Sequence, residues 1–173
     1  KTSSLGEELY VTDGTAAGTT LLMDINPGTA DMLGWNDGFT QFHSDGQRAY
    51  FFANDGIHGA ELWTSDGTIS GTMMVKDINV GIGKSLKSLS GFATLNGFTY
   101  FIANTPTNGT ELYKTDGTTA GTSMVFDFRP GVNSGMAESI VAINNKLIFA
   151  GTIDGSETNV YALDPSTNAT QSL

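Results

Sequence analysis

Apolar residues fall in short runs along this chain, each closed by a glycine-bearing turn. No stretch keeps helical periodicity beyond about two turns. The clearest run is Thr99-Tyr100-Phe101-Ile102-Ala103, preceded by Asn96-Gly97 and, before that, by Gly91 to Leu95. β-Branched and aromatic side chains on both sides of an Asn-Gly pair predict a hairpin. A second hairpin is predicted from Val141 to Ala150 around Asn144-Asn145. Two further strands are predicted around Glu8 to Thr12 and Thr20 to Ile25, joined by Asp13-Gly14-Thr15-Ala16-Ala17-Gly18. The chain reads as all-β.

These elements repeat. The segment from Gly6 to Gly28 aligns without a gap with Gly59 to Gly81 and with Gly109 to Gly131, and ten of 23 columns are identical in all three. They are the columns of Gly6, Glu8, Leu9, Asp13, Gly14, Thr15, Gly18, Thr19, Asp24 and Gly28. The column after Leu9 is always aromatic, as Tyr10, Trp63 and Tyr113. A composition bias would not place these identities in register. The period is 53 residues from Asp13 to Asp66 and 50 from Asp66 to Asp116, the first hairpin being longer through His43 to Arg48. A fourth copy starts at Val160-Tyr161-Ala162-Leu163-Asp164, but Pro165-Ser166 replaces the Gly-Thr that should follow. The expected organisation over 1–173 is a single repeat domain: repeats at about 6–58, 59–108 and 109–157, and a partial fourth at about 158–173. Four strands in roughly 50 residues is the size of a propeller blade, so blades of four antiparallel strands are expected.

The strings Glu61-Leu62-Trp63-Thr64-Ser65-Asp66-Gly67-Thr68, Gly71-Thr72 and Val75-Lys76-Asp77-Ile78 resemble the bacterial ELWxxDGT repeat family. The likeness covers nearly the whole chain. It departs in the Tyr-for-Trp exchange of two copies and in the Asp-Gly-Thr missing from the fourth. It implies tandem arrays in secreted or surface-exposed bacterial proteins, a propeller-like fold and an extracellular or cell-surface location. It brings no catalytic residues.

Composition narrows the function. The 18 acidic and 8 basic residues leave a net charge of −10, which repels nucleic-acid phosphates and gives no basic face for an anionic membrane. Without cysteine there is no disulfide, thiolate chemistry or Cys-based zinc site. No apolar run approaches the roughly 20 residues of a membrane span. The chain opens on Lys1 with no visible signal peptide, which reads as a processed chain or an excised piece.

Candidate residues divide by whether they repeat. Asp13, Asp66 and Asp116 are expected to cap hairpins as Asx turns. Glu8, Glu61 and Glu111 recur beside an aromatic, which suggests a buried carboxylate satisfied by an amide or threonine of the neighbouring blade. A carboxylate pair for hydrolysis fails on symmetry, because the same glutamate in every blade reads as architecture. Tyr10, Trp63 and Tyr113 are expected to pack between blades. Trp35 does not repeat and is a better contact candidate. No cofactor or metal is expected. If calcium binds, Asp37, Asp45 and Asp55 near the first hairpin are its candidate ligands. His43 and His58 occupy unrelated repeat positions, and no nucleophile motif occurs.

The expected function is therefore non-catalytic, a structural or adhesive module working through protein–protein contacts. Its partners would be other copies of itself or further repeats of a longer chain, self-assembling through open blade edges. A glycan-binding propeller module is the alternative.

Overall fold

The computed structural model describes residues 5–32, 41–85, 91–153, 155 and 157–173. Every regular element among them is a strand. The chain divides into two compact units, Lys1–Lys84 and Ser85–Leu173.

In the first unit, β1 (Leu9–Val11) and β2 (Thr20–Met23) form a two-stranded antiparallel sheet. They are followed by β3 (His43–Ser44), β4 (Ala49–Asn54), β5 (Ala60–Ser65) and β6 (Met73–Lys76), which pair in chain order. The second unit holds two more such meanders. One is β7 (Phe92–Leu95), β8 (Phe98–Thr105), β9 (Gly109–Thr115) and β10 (Ser123–Phe126). The other is β11 (Met136–Ile143), β12 (Lys146–Gly151), β13 (Asn159–Asp164) and β14 (Ala169–Ser172). These are propeller-like blades of four antiparallel strands, with half a blade ahead of them.

The sheets run out of phase with the sequence repeat. A hairpin from the second half of one repeat pairs with the first two strands of the next, so β3 and β4 join β5 and β6. The register at this seam is constant: Phe51 lies opposite Trp63, Phe101 opposite Tyr113 and Phe149 opposite Tyr161. The final copy keeps the register despite its altered turn.

The Asp-Gly-Thr-x-x-Gly-Thr phrase builds one loop three times. Thr68 donates its amide (2.9 Å) and its hydroxyl (2.7 Å) to Asp66 Oδ1. Gly71 N then donates to Thr68 Oγ1 (3.0 Å), and Thr72 Oγ1 to the Thr68 carbonyl (2.7 Å). Ser65 Oγ accepts from Gly67 N (3.0 Å) and meets Thr72 Oγ1 at 2.7 Å. The loops at Asp13 and Asp116 repeat these bonds. A Cβ at Gly71 would stand 2.0 Å from Asp66 Oδ1, so the second glycine is required by the carboxylate packed against it. In the fourth copy Ser166 supplies both the amide (2.9 Å) and the hydroxyl (2.6 Å) to Asp164. The sequence looks decayed there, but the turn survives.

Sheets within each unit are joined by a latch in the connector. Met32 N donates to the Glu7 carbonyl (2.9 Å), and the Met32 carbonyl accepts from Asn54 N (2.7 Å). Gly135 plays the same part between Thr110 (3.1 Å) and Thr152 (2.8 Å). Apolar side chains close each joint. In the first unit Leu9, Ile25 and Met32 pack against Phe51, Ala53 and Trp63. In the second, Ala93, Tyr100, Ile102, Leu112 and Phe128 pack against Ile140, Leu147, Phe149, Tyr161 and Leu163.

Two glycine substitutions should separate backbone strain from steric conflict. Gly67 has φ +87° and open space, whereas Gly59 has φ +74° and a Cβ there would fall 1.9 Å from the Gly83 carbonyl oxygen. Gly67→Ala is expected to cost about 1 kcal/mol in urea unfolding, and Gly59→Ala clearly more, roughly 3 kcal/mol or above.

Candidate functional site

The repeated glutamates are buried, and their partners lie within their own repeat rather than in a neighbouring blade. Glu8 Oε2 accepts from Ile25 N at 2.7 Å and Asn26 N at 3.4 Å. Glu61 accepts from Ile78 N at 2.9 Å and Asn79 N at 3.2 Å. Glu111 accepts from Phe128 N at 2.9 Å and Gly135 N at 2.6 Å. Each carboxylate thus holds the chain where it leaves the sheet, satisfying amides that have no strand partner. The Gly6 column serves the same junction, since a Cβ at Gly6 would meet the Ala30 carbonyl.

Beside each glutamate stands the invariant aspartate, and here the copies differ. Asn108 Nδ2 donates to Asp127 Oδ2 at 3.1 Å. The residue in that column is His58 in the second copy and Leu5 in the first. The first copy has no side-chain donor in that column, and among the described residues Glu8 Oε1, Asp24 Oδ1 and, in the second copy, Asp77 Oδ1 are buried without a partner. Burial raises the Glu8 carboxyl against the amides of Ile25 and Asn26, and Asp24 adds to the rise. Burial also pushes Glu111 up to about 7, against its two amide bonds and with Asp127 adding. His58 Nδ1 lies 2.7 Å from Asp55 Oδ2. That bond raises the imidazole, and the charges of Asp77 and Glu61 act in the same direction.

Two of the candidate calcium ligands, Asp45 and Asp55, lie at opposite ends of β4 and each is held in its own turn. Asp45 Oδ1 accepts from Gln47 N (2.8 Å) and Arg48 N (2.7 Å), and its Oδ2 accepts from Tyr50 OH (3.2 Å). Asp55 Oδ1 accepts from Ile57 N (2.9 Å) and His58 N (2.8 Å). Burial works to raise Asp55, but the His58 amide and ring and the Ile57 amide outweigh it and hold it low. Asp45 precedes β4 and Asp55 follows it, so a six-residue strand, about 20 Å long, separates them. Trp35 and Asp37 lie outside the described residues. Among the described residues no group of three or more His, Asp or Glu is placed to hold a metal ion.

The repeated aromatics also part company. Trp63, Tyr113 and Tyr161 are 8–9 % exposed, whereas Tyr10 is 39 % exposed.

The feature that composition and motifs did not indicate is a sheet face. Register places Val141, Ile143, Ile148, Ala150, Val160 and Ala162 on one side of the β11–β14 sheet. Leu173, whose amide donates to the Val160 carbonyl at 2.9 Å, joins them. The opposite side is the buried one that meets Leu112 and Phe128. A sheet with one solvated face normally alternates to polar residues there. Here Lys146 and Gln171 are the polar members, but Val141 and Ile143 are each 55 % exposed, Val160 47 % and Leu173 71 %. The signal was present in the alternation of Ile140 to Ile143, where both faces are apolar, and needed the sheet order to be read.

No protein-family model matches the chain, and no curated protein matches it. Among solved structures the chain is similar to the crystal structure of TolB from Acinetobacter baumannii. The identity is 14 %, the TM-score 0.51, and the match covers 78 % of this chain and 32 % of that one. The fold is propeller-like. The chain spans about a third of that structure's length, and at such identity the likeness concerns the fold alone.

Glu111 makes the fold pH-dependent with a definite sign. Its folded pKa, about 7, lies above the ordinary glutamate value of 4.5, so the native state binds the extra proton between those limits. The Glu111 contribution to stability is full below about pH 4.5 and is lost as pH rises through about 7, by roughly 3 kcal/mol at most. Urea unfolding of wild type and Glu111→Gln across pH 4–8 should show this loss in wild type and a clearly smaller one in the variant, where Glu8 remains raised.

Proposed function

We propose that this chain is a non-catalytic structural repeat module that works by protein–protein contact through the faces of its sheets. The observation that carries the reading is the apolar face of the β11–β14 sheet, where Val141, Ile143, Val160 and Leu173 are exposed together. A contiguous apolar patch of this kind marks an interaction surface.

The polar residues support the reading from the other side. The glutamates of the repeat hold backbone amides and its hairpin aspartates cap turns, so the most regular carboxylates have structural partners. Catalysis would require carboxylates or imidazoles converging on a reacting atom. The likeness of the Glu61–Thr68 phrase to repeats of secreted bacterial proteins favours an extracellular or cell-surface setting and an adhesive role.

Titration calorimetry against a panel of soluble neutral and acidic polysaccharides tests the reading. The contact-module account expects no saturable heat with any of them. Saturable binding that disappears in Trp35→Ala would replace it with the glycan-binding account.

A further inference from the structure

We propose that the exposed face of the β11–β14 sheet receives β1 and β2 of a second copy of this chain, with Tyr10 as the leading side chain. The inference rests on the contact-module reading and names its partner.

The two joints inside the units show what such a face takes. In each, the preceding sheet presents aliphatic residues from the repeat's leucine column, Leu9 or Leu112, and the following sheet answers with the aromatic of the next copy, Trp63 or Tyr161. The β11–β14 sheet presents the same columns again. Val160 stands in the column of Leu9 and Leu112. Superposing the turn Asn144-Asn145 on Asn96-Gly97 places Val141 in the column of Ala93, Ile148 in that of Tyr100 and Ala150 in that of Ile102. All four equivalents are buried in the β7–β10 sheet, where the next sheet covers them. Val160 and Val141 are exposed.

The answering half is on the same chain. Tyr10 occupies the column of Trp63 and Tyr161, and its cross-strand neighbour is Leu21. Both are exposed. One chain therefore displays the receiving face of a joint it already makes internally and, in β1 and β2, the outer two strands of the sheet that answers it. Two unlike, complementary patches on one molecule make a head-to-tail contact. An exposed tyrosine entering an apolar patch is the kind of anchor that dominates such interfaces.

The head-to-tail geometry gives a test that a two-fold contact would fail. The purified 173-residue chain, Val160→Asp, Tyr10→Ala and a loop control, Val80→Asp, are sedimented to equilibrium over a wide concentration range. Circular dichroism and urea midpoints confirm that each is folded. Wild type and Val80→Asp are expected to exceed the monomer mass increasingly with concentration. Each face variant alone should associate at least about tenfold more weakly. An equimolar mixture of Val160→Asp and Tyr10→Ala should form a discrete dimer, because each brings the half that the other lacks. A wild type that stays monomeric throughout, association untouched by either face variant, or a mixture that remains monomeric overturns the proposal. The contact-module reading would then stand with a different partner; saturable polysaccharide binding is what removes that reading.

Discussion

The carboxylate of Glu8, Glu61 and Glu111 is the constraint on which the repeat depends. A strand leaving a sheet exposes amides that no neighbouring strand can satisfy, and within a packed joint water is not there to do it. One buried carboxylate accepting two such amides fixes the exit of the second strand 17 or more residues along the chain. The loop so held carries Met32 or Gly135, whose backbone latches the next sheet. The same loop brings Ile25 or Phe128 into the apolar joint. Burying the charge has a cost, visible in the raised carboxyls of Glu8 and Glu111. The structure tolerates it because one side chain organises the hydrogen bonding and the packing of the joint together.

Much of this was legible in the residues. The hairpin at Asn96-Gly97 has positive φ at both positions, 53° and 79°, as the dipeptide predicts. The paired asparagines at 144 and 145 do the same with φ 49° and 58°. The invariant threonines and the second glycine of the Asp-Gly-Thr phrase follow from one loop geometry that sequence identity alone could not explain. What sequence could not give was the phase between repeat and sheet, since strand identity says nothing about which neighbours pair. For the same reason the glutamate's partner was sought in the next blade, although the chain folds back to supply it locally. The grouping of Asp45 with Asp55 failed because ten residues of sequence include a full strand, which places its two ends far apart.

The three copies also show where a repeat is free to vary. Leu5, His58 and Asn108 share a column: Asn108 donates to Asp127, whereas the His58 ring turns to Asp55 and Leu5 has no donor to offer. The columns that hold turns and loop exits do not change between the copies. Variation therefore accumulates beside the joints and on the sheet faces, and a module that acts by contact would use those same places. The apolar side of the β11–β14 sheet is where the columns that line an internal joint meet solvent instead.

Hydrogen exchange at individual amides tests the central role of the glutamates most directly. The amides of Ile25, Ile78 and Phe128 lie beyond the ends of their strands, so secondary structure alone gives them no protection. They should nevertheless exchange as slowly as core strand amides such as that of Phe101. Exchange as fast as that of the exposed loop residues Val80 and Val132 would contradict the account.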